Sequence, residues 1–385
     1  MAEGKTILVL GGGVGGLVAA RALRKRLPRP HRIVLVDRER DYVYTPSLLW
    51  LMVGLREPDG ITRPRTRLRR KGIDLRIGEV ERIDPEARRV TVDGLAIAAS
   101  YLVVSLGAEM SPETIPGLVE AGHNFYTRAG AETFRDALRA FQTGRIAVLT
   151  AAPAYKCPAA PYEAAMLIDA FCRRRGVREA VQMNVYAAEP GPMGVAGPEV
   201  SAAVTQLLSD RRIAYHPNHQ VTTVDSTTKR LTFTNETHAE FDLLAYVPPH
   251  RPPRAVRESG LVGDTGWVSV DRHSLETRFS GVYAIGDVTA IPLTLGKPLP
   301  KAGVFAHGQA EVVANNIAHA ILGRGAAARF DGHGACFIET GRGKAGFGSG
   351  DFYAEPTPAV KMHGPSRRWH LAKVLLEKSW LYTKV

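Results

Sequence analysis

Three cysteines in 385 residues are too few for a disulfide-stapled secreted scaffold or a four-cysteine zinc module. No apolar run reaches the roughly 18 residues of a membrane-spanning helix. The first residues show no basic segment, apolar segment and cleavage site in series, so an export signal is not expected. Aromatic residues make up only 7% of the chain. No helix-turn-helix, zinc finger or RNP-like aromatic strand accompanies the net charge of +12, so nucleic acid is not an expected partner. Hydrophobic residues at 45% exclude a disordered chain. At about 100–200 residues per domain, the length predicts two or three globular units.

Glycine is what the sequence has in plenty. The apolar run Thr6 to Leu10 is followed by Gly11-Gly12-Gly13-Val14-Gly15-Gly16, a helical pattern over Leu17 to Leu27, and a second strand pattern, Arg32 to Val36, ending at Asp37. Gly11, Gly13 and Gly16 fit G-x-G-x-x-G: one allows the turn, one lets backbone approach a pyrophosphate, and one lets helix meet strand. The helix start then offers free N–H groups to phosphate. Asp37, 21 residues beyond Gly16, is placed to bind ribose hydroxyls. Further candidates to line the cofactor are Gly15, Arg38, Thr45, Pro46, Val80, and Gly107-Ala108 after the strand Tyr101 to Ser105. Far downstream, the strand pattern over Gly281 to Ile285 ends in Gly286-Asp287, and a helix is predicted from Gly303 to Leu322. An aspartate there can hold a ribitol hydroxyl, which makes FAD, rather than NAD alone, the natural occupant.

A second strand–helix–strand pattern runs through Arg145 to Thr150, Tyr162 to Arg175 and Asn184 to Glu189. The expected fold is therefore α/β, with two Rossmann-like domains, the second inserted in the first: residues 1–109 and 281–329 for the first, 110–280 for the second, and a C-terminal segment over 330–385. The loop after Thr150 carries Pro153, Cys157, Pro158 and Pro161 in place of the glycine fingerprint. Without those glycines the second domain is not expected to bind NAD(P)H.

The fingerprint, Gly286-Asp287 and Lys301-Ala302-Gly303-Val304-Phe305 resemble the flavin disulfide reductase superfamily. The loop Lys156-Cys157-Pro158-Ala159-Ala160-Pro161-Tyr162-Glu163, Cys336-Phe337 and Trp369-His370-Leu371-Ala372-Lys373-Val374 resemble its sulfide:quinone oxidoreductase branch. The resemblance implies FAD, sulfide as substrate, a membrane quinone as acceptor, and a redox-active pair of Cys157 and Cys336. In that pair Cys336 is the flavin-proximal electron donor and Cys157 the sulfur carrier. The third cysteine that many members carry is missing from Gly122 to Thr127, and the region Pro190 to Gly194 lacks their histidines. This points to a two-cysteine subtype. No cysteine lies between Asp37 and Leu51, so non-covalent FAD is expected. Cys172, on an apolar helix, reads as a core residue.

Glu163 reads either as a helix N-terminal carboxylate or as a proton acceptor beside the pair. Lys301 reads as a surface lysine or as a contact to the flavin pyrimidine end or quinone. Phe337 and Phe347 are quinone candidates, and His307 reads as a core or polar-face histidine. No metal site is expected. In the basic terminal segment, Trp369, Leu376 and Trp380 recur at helical spacing, widened by Leu371, Val374 and Leu375 and surrounded by Arg367, Arg368, Lys373, Lys378 and Lys384. Such a helix either packs on its own domain or docks on a membrane surface. Docking places the protein as a monotopic protein on a prokaryotic cell membrane; a homo-oligomer is compatible with the sequence. The second basic run, Arg63 to Lys71, reads as a solvated face. Rival readings are a flavocytochrome c-type sulfide dehydrogenase flavoprotein, a type 2 NADH:quinone oxidoreductase, and a non-catalytic FAD-binding module.

Overall fold

The computed structural model describes residues 4–385. Its first sheet is five-stranded and parallel, in the order Val282–Ala284, Tyr101–Val104, Thr6–Leu10, Arg32–Asp37, Asp74–Ile77. Both faces are covered, which is why its strands are continuous apolar runs. Ile7, Val9, Ile33 and Leu35 face the helices Val14–Arg26 and Gly303–Leu322. Leu8, Leu10, Val34 and Val36 face a small antiparallel sheet of Val80–Asp84, Arg89–Val92 and Leu95–Ala98. The first helix begins three residues earlier than its apolar pattern suggests. Gly16 makes this early start feasible: a Cβ there would lie 1.7 Å from the Gly11 carbonyl oxygen.

The second sheet is also five-stranded and parallel: His123–Asn124, Leu243–Val247, Gly144–Thr150, Val181–Ala187, Ile213–His216. The helix Ala160–Arg174 follows its central strand and is buried along most of its length. The C-terminal region forms a three-stranded antiparallel sheet, His333–Gly341, Lys344–Asp351 and Ala359–Ser366, and then the helix Arg367–Thr383. Strand His333–Gly341 lies against helix Ala160–Arg174. At the crossing Gly341 is pressed so close that a Cβ would sit 2.5 Å from that of Ala170.

The terminal helix packs on its own chain, with a composition of faces unlike the one its sequence suggests. Trp380 and Leu381 enter the core of the first domain, and two charged residues, Lys373 and Glu377, are buried. Trp380 is thus not part of an exposed stripe, and Lys373 is not a surface cation. The exposed apolar face is Leu371, Leu375, Leu376 and Tyr382. The basic run Arg63 to Lys71 is a solvated face at Arg67, Arg69, Arg70 and Lys71, but within its 3-10 turn, Arg65–Lys71, Arg65 and Leu68 are buried. No helix among the described residues is long and apolar enough to cross a membrane.

Candidate active site

The glycine turn is built as the spacing predicts. Gly11 takes a left-handed φ of +93°, and Gly13 faces open space, with nothing within 4 Å of where a Cβ would stand. Asp37 Oδ2 accepts the Gly12 N–H at 2.6 Å, and Oδ1 accepts the Glu39 N–H at 2.8 Å. Arg65, missed by the sequence reading, stands 3.4 Å from Asp37 and donates to the Gly12 carbonyl. Its burial is supported by the Glu39 and Asp41 carbonyls, which accept from the same guanidinium. Arg38 is exposed beside Glu39. Thr45 and Pro46 lie in a 3-10 turn, Val80 starts the small sheet, and Gly107, at φ +68°, faces open space past Tyr101–Val104.

Gly286 (φ +74°) turns the chain at the end of its strand, and its N–H donates to Gln309 at 2.7 Å. Lys301 is buried rather than on the surface. Its ammonium donates to the Asp287 and Thr289 carbonyls at 2.8 and 2.9 Å and stands 3.4 Å over the Trp267 ring. Burial pulls its pKa down to about 8, against the opposing pull of Asp287. Burial also raises the Asp287 carboxyl, opposed by Lys156 and Lys301.

The Lys301 carbonyl accepts the Cys157 N–H at 2.7 Å, so the cysteine loop is fastened to the Gly286–Lys301 segment. Tyr126 O–H holds the same loop through the carbonyls of Lys156 and Cys157. Cys157 sits in a left-handed conformation, φ +52°, a strain that in a non-glycine residue commonly marks a functional turn. Cys336 reaches it from the C-terminal sheet. Both are free, half-buried thiols, whereas Cys172 is fully buried in the second-domain core. Burial first, then the nearby Cys336, pushes the Cys157 thiol far up, and burial pushes Cys336 up to about 11.

Glu163 opens the helix after the loop. Its Oε2 accepts the Glu339 backbone N–H at 2.9 Å and the Lys373 ammonium. Burial raises its carboxyl, opposed by Lys373. For Lys373 burial pulls downward, but Glu163 and Glu339 outweigh it and the ammonium is held charged. Lys373 escaped the sequence reading because a lysine in a basic amphipathic tail gives no sign of burial. Alternation along His333–Gly341 sends Phe337 to the other side of the sheet from Cys336, where it meets Phe347 at 5.1 Å. Phe347 in turn stacks on Trp369 at 4.5 Å. His307 is half-buried, with its ring 5.9 Å from that of Trp380.

In the second domain Glu189, beyond strand Val181–Ala187, corresponds in position to Asp37. It accepts from Tyr162 at 2.6 Å, Thr150 at 2.9 Å, and Tyr155. Three hydroxyls therefore occupy the carboxylate that a nucleotide ribose would need. No metal-binding cluster occurs among the described residues.

A glycine-turn dinucleotide fold with a cysteine beside its second nucleotide loop is matched from residue 5 to 320 by the model of the pyridine nucleotide-disulphide oxidoreductases. The chain belongs to this family. Within it, the chain is 27% identical to the sulfide-quinone reductase of Aquifex aeolicus over 98% of its own length and 90% of that protein's. It is 24% identical to the mitochondrial sulfide:quinone oxidoreductase of Mus musculus, covering 91% of this chain and 79% of the mouse protein. The X-ray structure of the Aquifex aeolicus sulfide:quinone oxidoreductase superposes with a TM-score of 0.89 at 26% identity, over 99% of this chain and 91% of that one.

Proposed function

We propose that this member of the family is an FAD-dependent sulfide:quinone oxidoreductase. The observation that carries the reading is the meeting of Cys157 and Cys336, from opposite halves of the chain, beside the buried Glu163–Lys373 pair. FAD fits the first domain: Gly13 and Gly107 leave room for backbone approach, and Asp37 and the Gly286–Asp287 turn stand where ribose and ribitol hydroxyls would be held. When bound, FAD supplies the two-electron acceptor between sulfur and quinone.

The protein's own part begins with a sulfur bridge between the two cysteines. Attack by HS⁻ on the Cys157 sulfur breaks the S–S bond, forming a persulfide on Cys157 and releasing Cys336 as thiolate. Burial disfavours that thiolate, so the Lys373 ammonium is the group that compensates it. Glu163 accepts the persulfide proton. Phe337, Phe347 and Trp369 form an aromatic wall for quinone on the other side of the C-terminal sheet. Quinone is lipid-borne, and the face of Leu371, Leu375, Leu376 and Tyr382, flanked by Arg367, Arg368 and Lys378, is the surface that docks on the membrane. The discontinuous first domain (1–109, 281–329) then carries FAD, and the inserted domain (110–280) supplies Cys157.

Anaerobic addition of sulfide to the yellow protein bleaches the flavin, and decylubiquinone restores the colour. Cys157→Ser and Cys336→Ser each slow the bleaching by at least about 100-fold. Rapid bleaching by NADH, with sulfide inert, would overturn the reading in favour of an NADH:quinone enzyme.

A further inference from the structure

Oxidation of HS⁻ to sulfur releases two electrons and one proton. The electrons have an acceptor in the proposed activity, but the proton is left on Glu163, whose side chain is only 2% exposed. The hydrogen bonds around Glu163 lead away from the cysteines. Lys373, 9% exposed, donates to Glu163 and is held charged by Glu163 and Glu339 together. Glu339, 1% exposed, accepts through both carboxylate oxygens from His370 Nδ1, at 2.9 and 3.1 Å. His370, 29% exposed, and Glu339 line a cavity of about 340 Å³ whose walls include Val53, Leu55, Leu167 and Phe171. The Trp50 ring meets His370 edge-on at 6.0 Å. The other charged groups on the cavity are Arg173, which is bound to Asp169, and Arg174 and Arg342, both exposed.

We infer that Glu163, Lys373, Glu339 and His370 form a proton exit from the cysteine pair to this cavity, with His370 as the gate to water. The inference rests on the sulfide-oxidising reading above. Three features support it. Lys373 is paired with Glu163 and only influenced by the charge of Glu339, so two carboxylates stand near one ammonium and the cluster has a spare acceptor for one proton. Hydrogen bonds join Lys373 to Glu163 at one end and His370 to Glu339 at the other, and between them the Glu339 carboxylate is near enough to Lys373 for its charge to act on the ammonium. The cavity's positive rim, Arg174 and Arg342, disfavours storing a proton at the mouth and so favours its release. In each cycle the proton bound to sulfur in HS⁻ moves to Glu163, passes from there to the Glu339 carboxylate and on to His370, and His370 delivers that proton to water. Lys373 stays charged throughout and acts as a positioning residue between the carboxylates.

The test is stopped-flow reduction of the FAD-loaded enzyme by sulfide between pH 6 and 9. His370→Gln, which can still donate a hydrogen bond to Glu339, slows flavin reduction at least about ten-fold and flattens its pH profile. Added imidazole restores the rate in the variant and leaves the parent unchanged. FAD content and thermal midpoint stay as in the parent, which separates a proton path from a structural role. Leu55→Trp, which narrows the cavity without touching the chain of groups, slows reduction less, and imidazole rescues it poorly. A His370→Gln enzyme with the parental rate and profile, or a slowed one that imidazole does not rescue, overturns the exit. If His370→Gln does not fold, a parental rate in Leu55→Trp overturns it instead. A parent enzyme that sulfide does not reduce at all defeats the reading beneath it.

Discussion

At the scale of single residues, the site depends on what burial does to acids and bases. The two thiols stand in a desolvated place, so the reduced pair keeps its protons at neutral pH and needs a base to react. Cys336, held at about 11 in place of 9.0, gives a direct check. After chemical reduction, alkylation by iodoacetamide followed by mass spectrometry has an inflection near 11, and the rate rises about tenfold per pH unit below it. An inflection near 9, the unshifted value, refutes the burial argument. The sign for stability follows from the same shift. Between pH 9 and 11 the folded thiol binds more protons than the unfolded one, so this residue's contribution falls as pH rises through that window. The glycines were legible in the sequence because a dinucleotide turn demands them at fixed places in a strand–turn–helix, whereas Cys157 and Cys336 were picked out by the resemblance to the family and Glu163 by its place after Cys157. Arg65, Lys373 and Glu339 were not. A charge in a charged run has the same local pattern whether water or a carboxylate 210 positions away is its partner.

At the scale of elements, the terminal helix shows the same limit and what replaces it. Its helical content was readable from Trp369 to Lys384, but not which face turns inward, because both faces carry apolar residues. Burial of Glu377 decides the matter. Its carboxylate accepts from Ser47 at 2.6 Å and takes a bidentate grip from Arg56, at 2.8 to 3.0 Å. Trp380 sits one turn on in the first-domain core. Removing one partner of a buried pair costs about 3–5 kcal/mol, since the other is left uncompensated. Glu377→Ala should therefore lower thermal stability by about that amount and expose the junction between strand Ala359–Ser366 and the helix to limited proteolysis. Glu377→Gln, which can keep the Ser47 contact, should cost less. Equal effects of the two variants mean that the ion pair does not fasten the helix.

At the scale of the whole molecule, part of the net charge of +12 lies along the terminal helix. Five basic residues are engaged inside: Arg56, Arg178 and Lys373 with buried carboxylates, and Arg65 and Lys301 with backbone carbonyls. What remains beside the exposed leucines of the terminal helix is Arg367, Arg368 and Lys378, next to Leu371 at 57% and Leu375 at 60% exposure. On the proposed docking surface, apolar side chains would contribute by burial in lipid and each cation by about 1 kcal/mol near an anionic surface. The two contributions separate experimentally. Binding to vesicles containing one-third phosphatidylglycerol should weaken several-fold between 0.05 and 0.5 M NaCl, because screening removes only the charge part. The double variant Leu371→Asp and Leu375→Asp should lose flotation with the vesicles at either salt. Its thermal midpoint should stay close to the parent's, because neither side chain enters a core. Its turnover with water-dispersed decylubiquinone should also stay within about two-fold, while turnover with a long-chain quinone embedded in the vesicles falls by at least ten-fold. Parental turnover of the embedded quinone would show that the acceptor reaches the aromatic wall by a route that does not use this helix.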